Sequence, residues 1–299
     1  MNHSDRIAIL GPMRLPFLIL TPACVMLGAA SAVWSGSTIN VFYLFLALLG
    51  AVSAHISVNA LNEYDDFKSG LDLTTERTPF SGGSGTLPQY PDKAHVARIT
   101  GWITLAITAL VGIYFLYVWG MWLLPLGLLG LITIVAYTRF LTRSPLLCLI
   151  APGIGFGPLM VMGTDFVLTG SYSWTAFVAS IVPFFLVSDL LLLNQFPDLE
   201  ADKGIGRRHL LIVAGRNVGV SVYGLFLAGA YVSIILGYLF GVLPFQGLLG
   251  LASVVIAVPT LRGVRKYADD IPNLIPYMGK NVVINILTPV MLSIGLFIA

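Results

Sequence analysis

Apolar residues along this 299-residue chain come in long uncharged blocks, and polar side chains gather in the short connections between them. A membrane-crossing helix needs about 20 mostly apolar residues. Blocks of that size lie at Leu15 to Trp34, Val41 to Leu61, Ile99 to Trp119, Met121 to Tyr137, Leu146 to Thr164, Trp174 to Leu193, Val218 to Phe240, Leu243 to Leu261 and Val282 to Ile298. The pattern predicts an all-α polytopic membrane protein whose nine transmembrane helices form a bundle. The third and fourth blocks meet at Gly120 and the seventh and eighth at Gly241, so each pair is expected to fold as a tight helical hairpin. Met1 to Arg14 is polar and short, and no small-residue cleavage site follows the run from Leu15, which is therefore expected to stay as a helix.

Composition strengthens the membrane assignment. Hydrophobic residues make up 57% and charged ones 10%, whereas a soluble domain carries roughly a quarter charged; the mean hydropathy is +0.89. A net charge of +2 with scattered cations offers no surface for nucleic acid. Cys24 and Cys148 fall inside apolar runs without metal-ligand spacing, and read as small core residues.

Lys and Arg accumulate on the cytoplasmic side of short connections. With nine helices, one side receives the N-terminus and the second–third, fourth–fifth, sixth–seventh and eighth–ninth connections. These hold Arg6, Arg14, Lys68, Arg77, Lys93, Arg98, Arg139, Arg143, Lys203, Arg207, Arg208, Arg216, Arg262, Arg265, Lys266 and Lys280, which are all 16 of the chain. A miscounted helix would scramble this alternation, so the count and a cytoplasmic N-terminus support each other.

The acidic side chains show the same bias. The connection after the second block carries Glu63, Asp65, Asp66, Asp72, Glu76 and Asp92, and that after the sixth carries Asp198, Glu200 and Asp202. Asn62 and Asp66 are four apart, as are Asn194, Asp198 and Asp202, so each set shares one face if its helix continues past the bilayer. Oxygen-only donors suit a hard cation, and Mg²⁺ commonly takes one or two carboxylates together with substrate phosphates. Two facing carboxylate sets repel unless cations lie between them. Lys68, Arg77, Arg143, Lys203, Arg207 and Arg208 are close enough in sequence to hold diphosphate oxygens. Solvated helix caps would explain one such motif. Recurrence four helices on, as in a single domain with duplicated halves of roughly 1–140 and 141–299, favours a shared site.

His55, Asn59, Asn62 and Asp66 form a polar stripe along the second helix. His55 there serves either an interhelical hydrogen bond or contact with an acceptor substrate. Asp189 lies about 13 Å of helix before Asp198 and is turned to the opposite side unless Pro197 kinks the helix, which favours a structural hydrogen bond. Tyr137 with Arg139 and Arg143 sits where an interfacial belt is expected. Ser81 to Gly85 lacks the Lys-Ser/Thr of a P-loop and reads as a flexible segment over the site, or as a weak phosphate cradle.

The runs NEYDDFKSGLD (Asn62 to Asp72), followed by Arg77, and NQFPDLEADKGIGRR (Asn194 to Arg208) resemble the UbiA-type intramembrane prenyltransferases in order and spacing. Asn59 leading Asn62, the Asp66-Phe67-Lys68-Ser69-Gly70 core, GPLMVMGT from Gly157 to Thr164, and Arg14 opening the first helix look most like the menaquinone-pathway branch, the 1,4-dihydroxy-2-naphthoate prenyltransferases. The resemblance covers nearly the whole chain. It implies a bundle around a central cavity open to lipid and capped by cytoplasmic loops, in a bacterial or archaeal inner membrane. It implies Mg²⁺ on Asn62, Asp66, Asp72, Asn194, Asp198 and Asp202, an isoprenyl diphosphate held by Arg14, Lys68, Arg77, Arg143, Lys203 and Arg208, and an aromatic acceptor, with His55, Asn59 and Tyr137 as candidate contacts. Three departures touch the acceptor: Glu63 stands where the branch usually has Asp, Gln195-Phe196-Pro197 where it commonly has an Arg before the Asp, and Pro145-Leu146-Leu147-Cys148 where a Gly-Leu-Gly-acid run is expected. Other acceptors (4-hydroxybenzoate, a glycerol-phosphate lipid, a chlorophyll precursor), a terpene cyclase, and an ion or anion transporter are the alternatives; a transporter places its site near the midplane on broken helices.

Overall fold

A computed structural model describes residues 3–299, and among the described residues every regular element is helical. A surface helix, α1 (His3–Met13), precedes the first spanning helix α2 (Leu15–Trp34). There follow α3 (Val41–Lys68), two single turns α4 (Leu71–Thr74) and α5 (Thr86–Gln89), and α6 (Pro91–Trp119). Then come α7 (Met121–Ala136), α8 (Pro145–Thr169), α9 (Trp174–Gly204), α10 (Leu210–Leu239), α11 (Phe245–Tyr267) and α12 (Ile271–Phe297). Eight of these helices are long and apolar enough to cross a bilayer, and α7 is a shorter apolar helix. The nine blocks thus correspond to α2, α3 and α6 to α12. α7 is cut short because the chain leaves the helix at Tyr137 for two tight turns before Ser144.

Several helices outrun their apolar blocks. α10 begins at Leu210 and α12 at Ile271, since helix geometry tolerates polar residues wherever a neighbouring helix satisfies them. Asn281, for example, is fully buried in α12 and its Oδ1 accepts from the Tyr223 hydroxyl at 3.1 Å. α8 runs on to Thr169 and so takes in Asp165, a buried acid whose Oδ2 accepts from Ser173 Oγ at 2.9 Å.

Each spanning helix packs on the next, and α12 returns to α2, so the bundle closes into a ring. The densest core lies among α2 and α8 to α12, around Leu27, Leu186, Leu193, Phe196, Tyr223 and Leu274. Close approach of α8 to α9 rests on two glycines: a methyl group at Gly153 would lie 2.1 Å from the Phe184 carbonyl oxygen, and one at Gly157 2.4 Å from that of Ser180. Between and beyond them, Gly155–Met162 winds as a π-helix containing Pro158. Such wide turns recur beside functional sites.

Candidate active site

The two Asn/Asp motifs meet because α3 and α9 continue as unbroken helices through them. The four-residue spacing then keeps Asn62 with Asp66, and Asn194 with Asp198 and Asp202, on inward faces. Together with Asp72, at the start of the single turn α4, all six line one cavity of about 520 Å³. That volume is ordinary for a small-molecule site. From this polar end the cavity passes His55, Ala54 and Ala51 to Ala47, Phe115, Leu123 and Val167. Ala47 and Asp66 are separated by about 28 Å of helix, close to the thickness of the hydrocarbon core. Two apolar lining residues on α6 and α7, Ile113 and Leu128, are 60% and 50% exposed, so the cavity also meets the lipid-facing surface between these helices.

Charge at the polar end is partly neutralised from within. The Arg207 guanidinium donates to Asp66 of α3 and, at 2.8 Å, to Oδ1 of Asp202 of α9, tying the two motifs together. His209 Nε2 lies 3.2 Å from the other Asp202 oxygen. Asp72 Oδ2 and Asp198 Oδ1 are buried without a hydrogen-bond partner. Burial, with the negative charges of Asp66 and Glu63, pushes the Asp72 carboxyl up to about 7. Among the described residues no three His, Cys, Asp or Glu side chains converge tightly enough to form a metal centre by themselves: Arg207 occupies the gap between Asp66 and Asp202, and Asn62 donates to Thr138 Oγ1 at 3.1 Å. The donor set is all hard oxygen, and the two orphaned carboxylate oxygens belong to residues that line the cavity. It fits a divalent cation that draws its remaining ligands from a bound diphosphate.

The model of the UbiA prenyltransferase family matches residues 21–273. The chain belongs to the UbiA prenyltransferase family. A 1,4-dihydroxy-2-naphthoate octaprenyltransferase of Bacillus subtilis (strain 168) is 30% identical over 213 residues, which cover 67% of this chain and 66% of that protein. A 2-carboxy-1,4-naphthoquinone phytyltransferase of Synechocystis sp. is 24% identical over 285 residues, 87% of this chain and 83% of that one. In fold, the chain is similar to a UbiA homolog from Archaeoglobus fulgidus whose structure is bound to GPP and Mg²⁺, with a TM-score of 0.66, 14% identity, and coverage of 98% of this chain and 100% of that one. Membership makes this chain a multi-pass membrane enzyme, a prenyltransferase.

In this UbiA chain the cations picked from sequence divide by orientation. Arg14, half-buried, lines the cavity. It adopts a left-handed backbone, φ 53°, rare for a residue with a side chain. Lys68, Arg77, Arg143, Lys203 and Arg208 are exposed and lie outside the lining. Lys68 is two residues past Asp66, turned out over the Tyr64 ring at 5.9 Å. Lys203 follows the inward Asp202 by one residue, a 100° rotation. The turn Leu141–Arg143 buries Thr142 against the cavity and sends Arg143 outward. Arg208 gives its backbone N–H to the Thr142 carbonyl at 3.2 Å and leaves its side chain in solvent. Arg77 is folded beneath the glycine run, where a methyl group at Gly85, φ 73°, would overlap its guanidinium. The inward cation of the second motif is therefore Arg207, which sequence reasoning grouped with its neighbours. Nothing in the spacing separates it from Arg208, because a loop has no fixed rotation per residue.

The acceptor candidates all line the cavity, but two are already engaged. His55 Nδ1 and Thr21 Oγ1 are 2.8 Å apart, and Asn59 Nδ2 donates to the Met13 carbonyl at 3.1 Å. Tyr137 stands at the polar end, where the two departures near the second motif meet: Gln195 Nε2 donates to Cys148 Sγ at 3.4 Å, and both line the cavity. Asp189 is fully buried and absent from the lining, as its rotation predicts, yet neither carboxylate oxygen makes the expected hydrogen bond.

Proposed function

We propose that this enzyme transfers a polyprenyl group from an isoprenyl diphosphate to an aromatic quinone precursor, with 1,4-dihydroxy-2-naphthoate as the acceptor, in menaquinone biosynthesis. The observation that carries the reading is a single cavity that joins six Asn and Asp side chains at one end to an apolar chamber of near-membrane depth at the other. A diphosphate ester of a long hydrocarbon has this shape and polarity. The two curated relatives above are named for different tails and for bicyclic naphthoquinone-type acceptors.

Asn62, Asp66, Asp72, Asn194, Asp198 and Asp202 would hold Mg²⁺, which when bound would supply an electrophilic pull on the leaving diphosphate. Arg14 and Arg207, the cavity's cations, pair with the diphosphate oxygens as the allylic C–O bond breaks and its electron pair leaves with the oxygen. The apolar walls around Ala51, Phe115 and Phe156 keep water from the allylic cation. The acceptor ring enters beside Tyr137, Gln195 and Cys148, forms the C–C bond, and rearomatises by losing the group at the attacked carbon. The charge asymmetry supports a cytoplasmic position for this end and the N-terminus, in the inner membrane.

A second reading, the same transfer to a different acceptor, is favoured by one observation: Gln195 and Cys148 meet each other at the polar end as a neutral pair. Among the described residues no acidic path crosses the bundle, since neither Asp165 nor Asp189 lines the cavity, and a transporter has little ground here. Mass spectrometry of products from purified protein with Mg²⁺, prenyl diphosphates of graded length and a panel of acceptors tests both readings, with Asp66→Ala as the blank. Prenylated naphthoate is the expected product; 4-hydroxybenzoate or glycerol-phosphate lipid products select the second reading, and hydrocarbon without acceptor would mark a cyclase.

A further inference from the structure

Glu63 is the buried acid that the transfer chemistry leaves unused. It follows Asn62 on α3, is 2% exposed and does not line the cavity, so it touches neither diphosphate nor acceptor. Among the described residues it belongs to no ion pair. Its two oxygens are both spent on one residue of the glycine run: Oε2 accepts the Ser84 backbone N–H at 3.0 Å, and Oε1 accepts the Ser84 hydroxyl. Ser84 Oγ in turn accepts the Thr86 N–H at 3.1 Å and lies 2.8 Å from Thr86 Oγ1. Thr86 is wedged against α1, where a methyl group at Gly11 would lie 2.0 Å from its hydroxyl oxygen.

The other side of the same loop faces the chemistry. Ser81, Gly82 and Gly83 line the cavity, and a methyl group at Gly83 would stand 3.0 Å from Asp72 Oδ1. The loop is stiffened internally by Thr78, whose hydroxyl accepts the N–H groups of Phe80 and Ser81 at 3.2 and 3.0 Å. A segment this rich in glycine loses much conformational entropy when it is fixed, and a buried carboxylate accepting two hydrogen bonds is strong enough to hold it. An Asp at position 63 would be one methylene shorter at the point where the loop is caught.

We propose that Glu63 is a positioning residue that locks Ser81–Gly85 in place as a wall of the diphosphate pocket, setting the backbone of Gly83 against Asp72 and that of Gly82 against Asp198. The assignment of the pocket to a diphosphate rests on the prenyl-transfer reading; the lock itself does not. Glu63→Gln, Glu63→Asp and Ser84→Ala are to be compared with the parent in three measurements: amide hydrogen exchange across residues 77–90, calorimetric binding of inorganic diphosphate with Mg²⁺, and the steady-state constants for prenyl transfer. Loss of one charge-assisted hydrogen bond is worth about tenfold or more in an equilibrium. The expected result is exchange at Gly82 to Thr86 faster by about that factor, diphosphate affinity and KM worse by about tenfold, kcat within about threefold, and a Glu63→Asp/Ser84→Ala double variant no worse than either single one. Unchanged exchange in variants that stay folded would overturn the lock. Faster exchange with unchanged diphosphate binding would overturn the wall. If the parent prenylates no acceptor at all, the prenyl-transfer reading falls, while exchange and diphosphate binding still decide this one.

Discussion

Asp72 is a residue whose protonation the solution pH should govern. Its carboxyl titrates near 7 in the fold against an ordinary value of 3.8. A raised carboxyl favours the folded state while it is protonated, and that contribution fades as pH climbs from about 4 through about 7. Thermal unfolding without Mg²⁺ should therefore show stability declining across that window, and added Mg²⁺ should reverse the decline. For the same reason the apparent Mg²⁺ affinity should fall by up to about tenfold per unit as pH drops below 7, and Asp72→Asn should flatten the dependence. Arg207 and Arg208 offer a contrast between neighbours. Arg207→Ala leaves Asp66 and Asp202 buried without their shared partner and should lower stability by roughly 3 kcal/mol as well as activity, while Arg208→Ala should leave both near the parent's. At this scale the sequence was legible wherever a helix set the rotation. The Asn and Asp positions could be placed on one face from their spacing alone; the flanking cations sit in turns, and which of two adjacent arginines points inward is decided by hydrogen bonds such as that of Arg208 N–H to Thr142.

Among the elements, α8 and α9 hold the second motif in place by backbone contact. At Gly157 a side chain would strike the Ser180 carbonyl. Gly157→Leu should push the helices apart, lower the thermal midpoint by an amount equivalent to about 1 to 3 kcal/mol, and raise KM through displacement of Asn194 and Asp198. Gly204→Leu, exposed at the end of α9, outside the cavity lining and with open space around the added Cβ, is the control for introducing a bulky residue. Apolar block length located every spanning helix, because bilayer thickness imposes a minimum that the sequence must meet. Helix ends were less legible. α3, α9 and α12 carry polar residues well beyond their apolar blocks, and hydrophobic counting stops where the helix does not. The π-helical turn left no signal in the apolar periodicity, since Gly155 to Met162 is apolar throughout.

For the whole molecule, the one-sided distribution of Lys and Arg predicts orientation. A cysteine replacing Ser171, exposed between α8 and α9, should react with an impermeant maleimide in right-side-out vesicles. One replacing Thr74, exposed in α4, should react only after permeabilisation. The opposite result would invert the assigned sidedness of diphosphate delivery. The closed ring of helices itself was foreseeable only as a bundle, because sequence reports that apolar faces exist and not which neighbour each one meets.

The exposure of two cavity-lining residues, Ile113 of α6 and Leu128 of α7, has a kinetic consequence. A tail that passes through a side opening need never cross water, so both the donor and the finished product partition in the plane of the bilayer. Their effective concentration is then a mole fraction of lipid, and the enzyme works in two dimensions. At fixed total prenyl diphosphate, diluting the proteoliposomes with inert phospholipid should slow turnover in proportion, whereas diluting them with buffer should leave the rate per enzyme unchanged. Leu128→Arg, which places a charge at that opening, should slow product escape more than it weakens diphosphate binding.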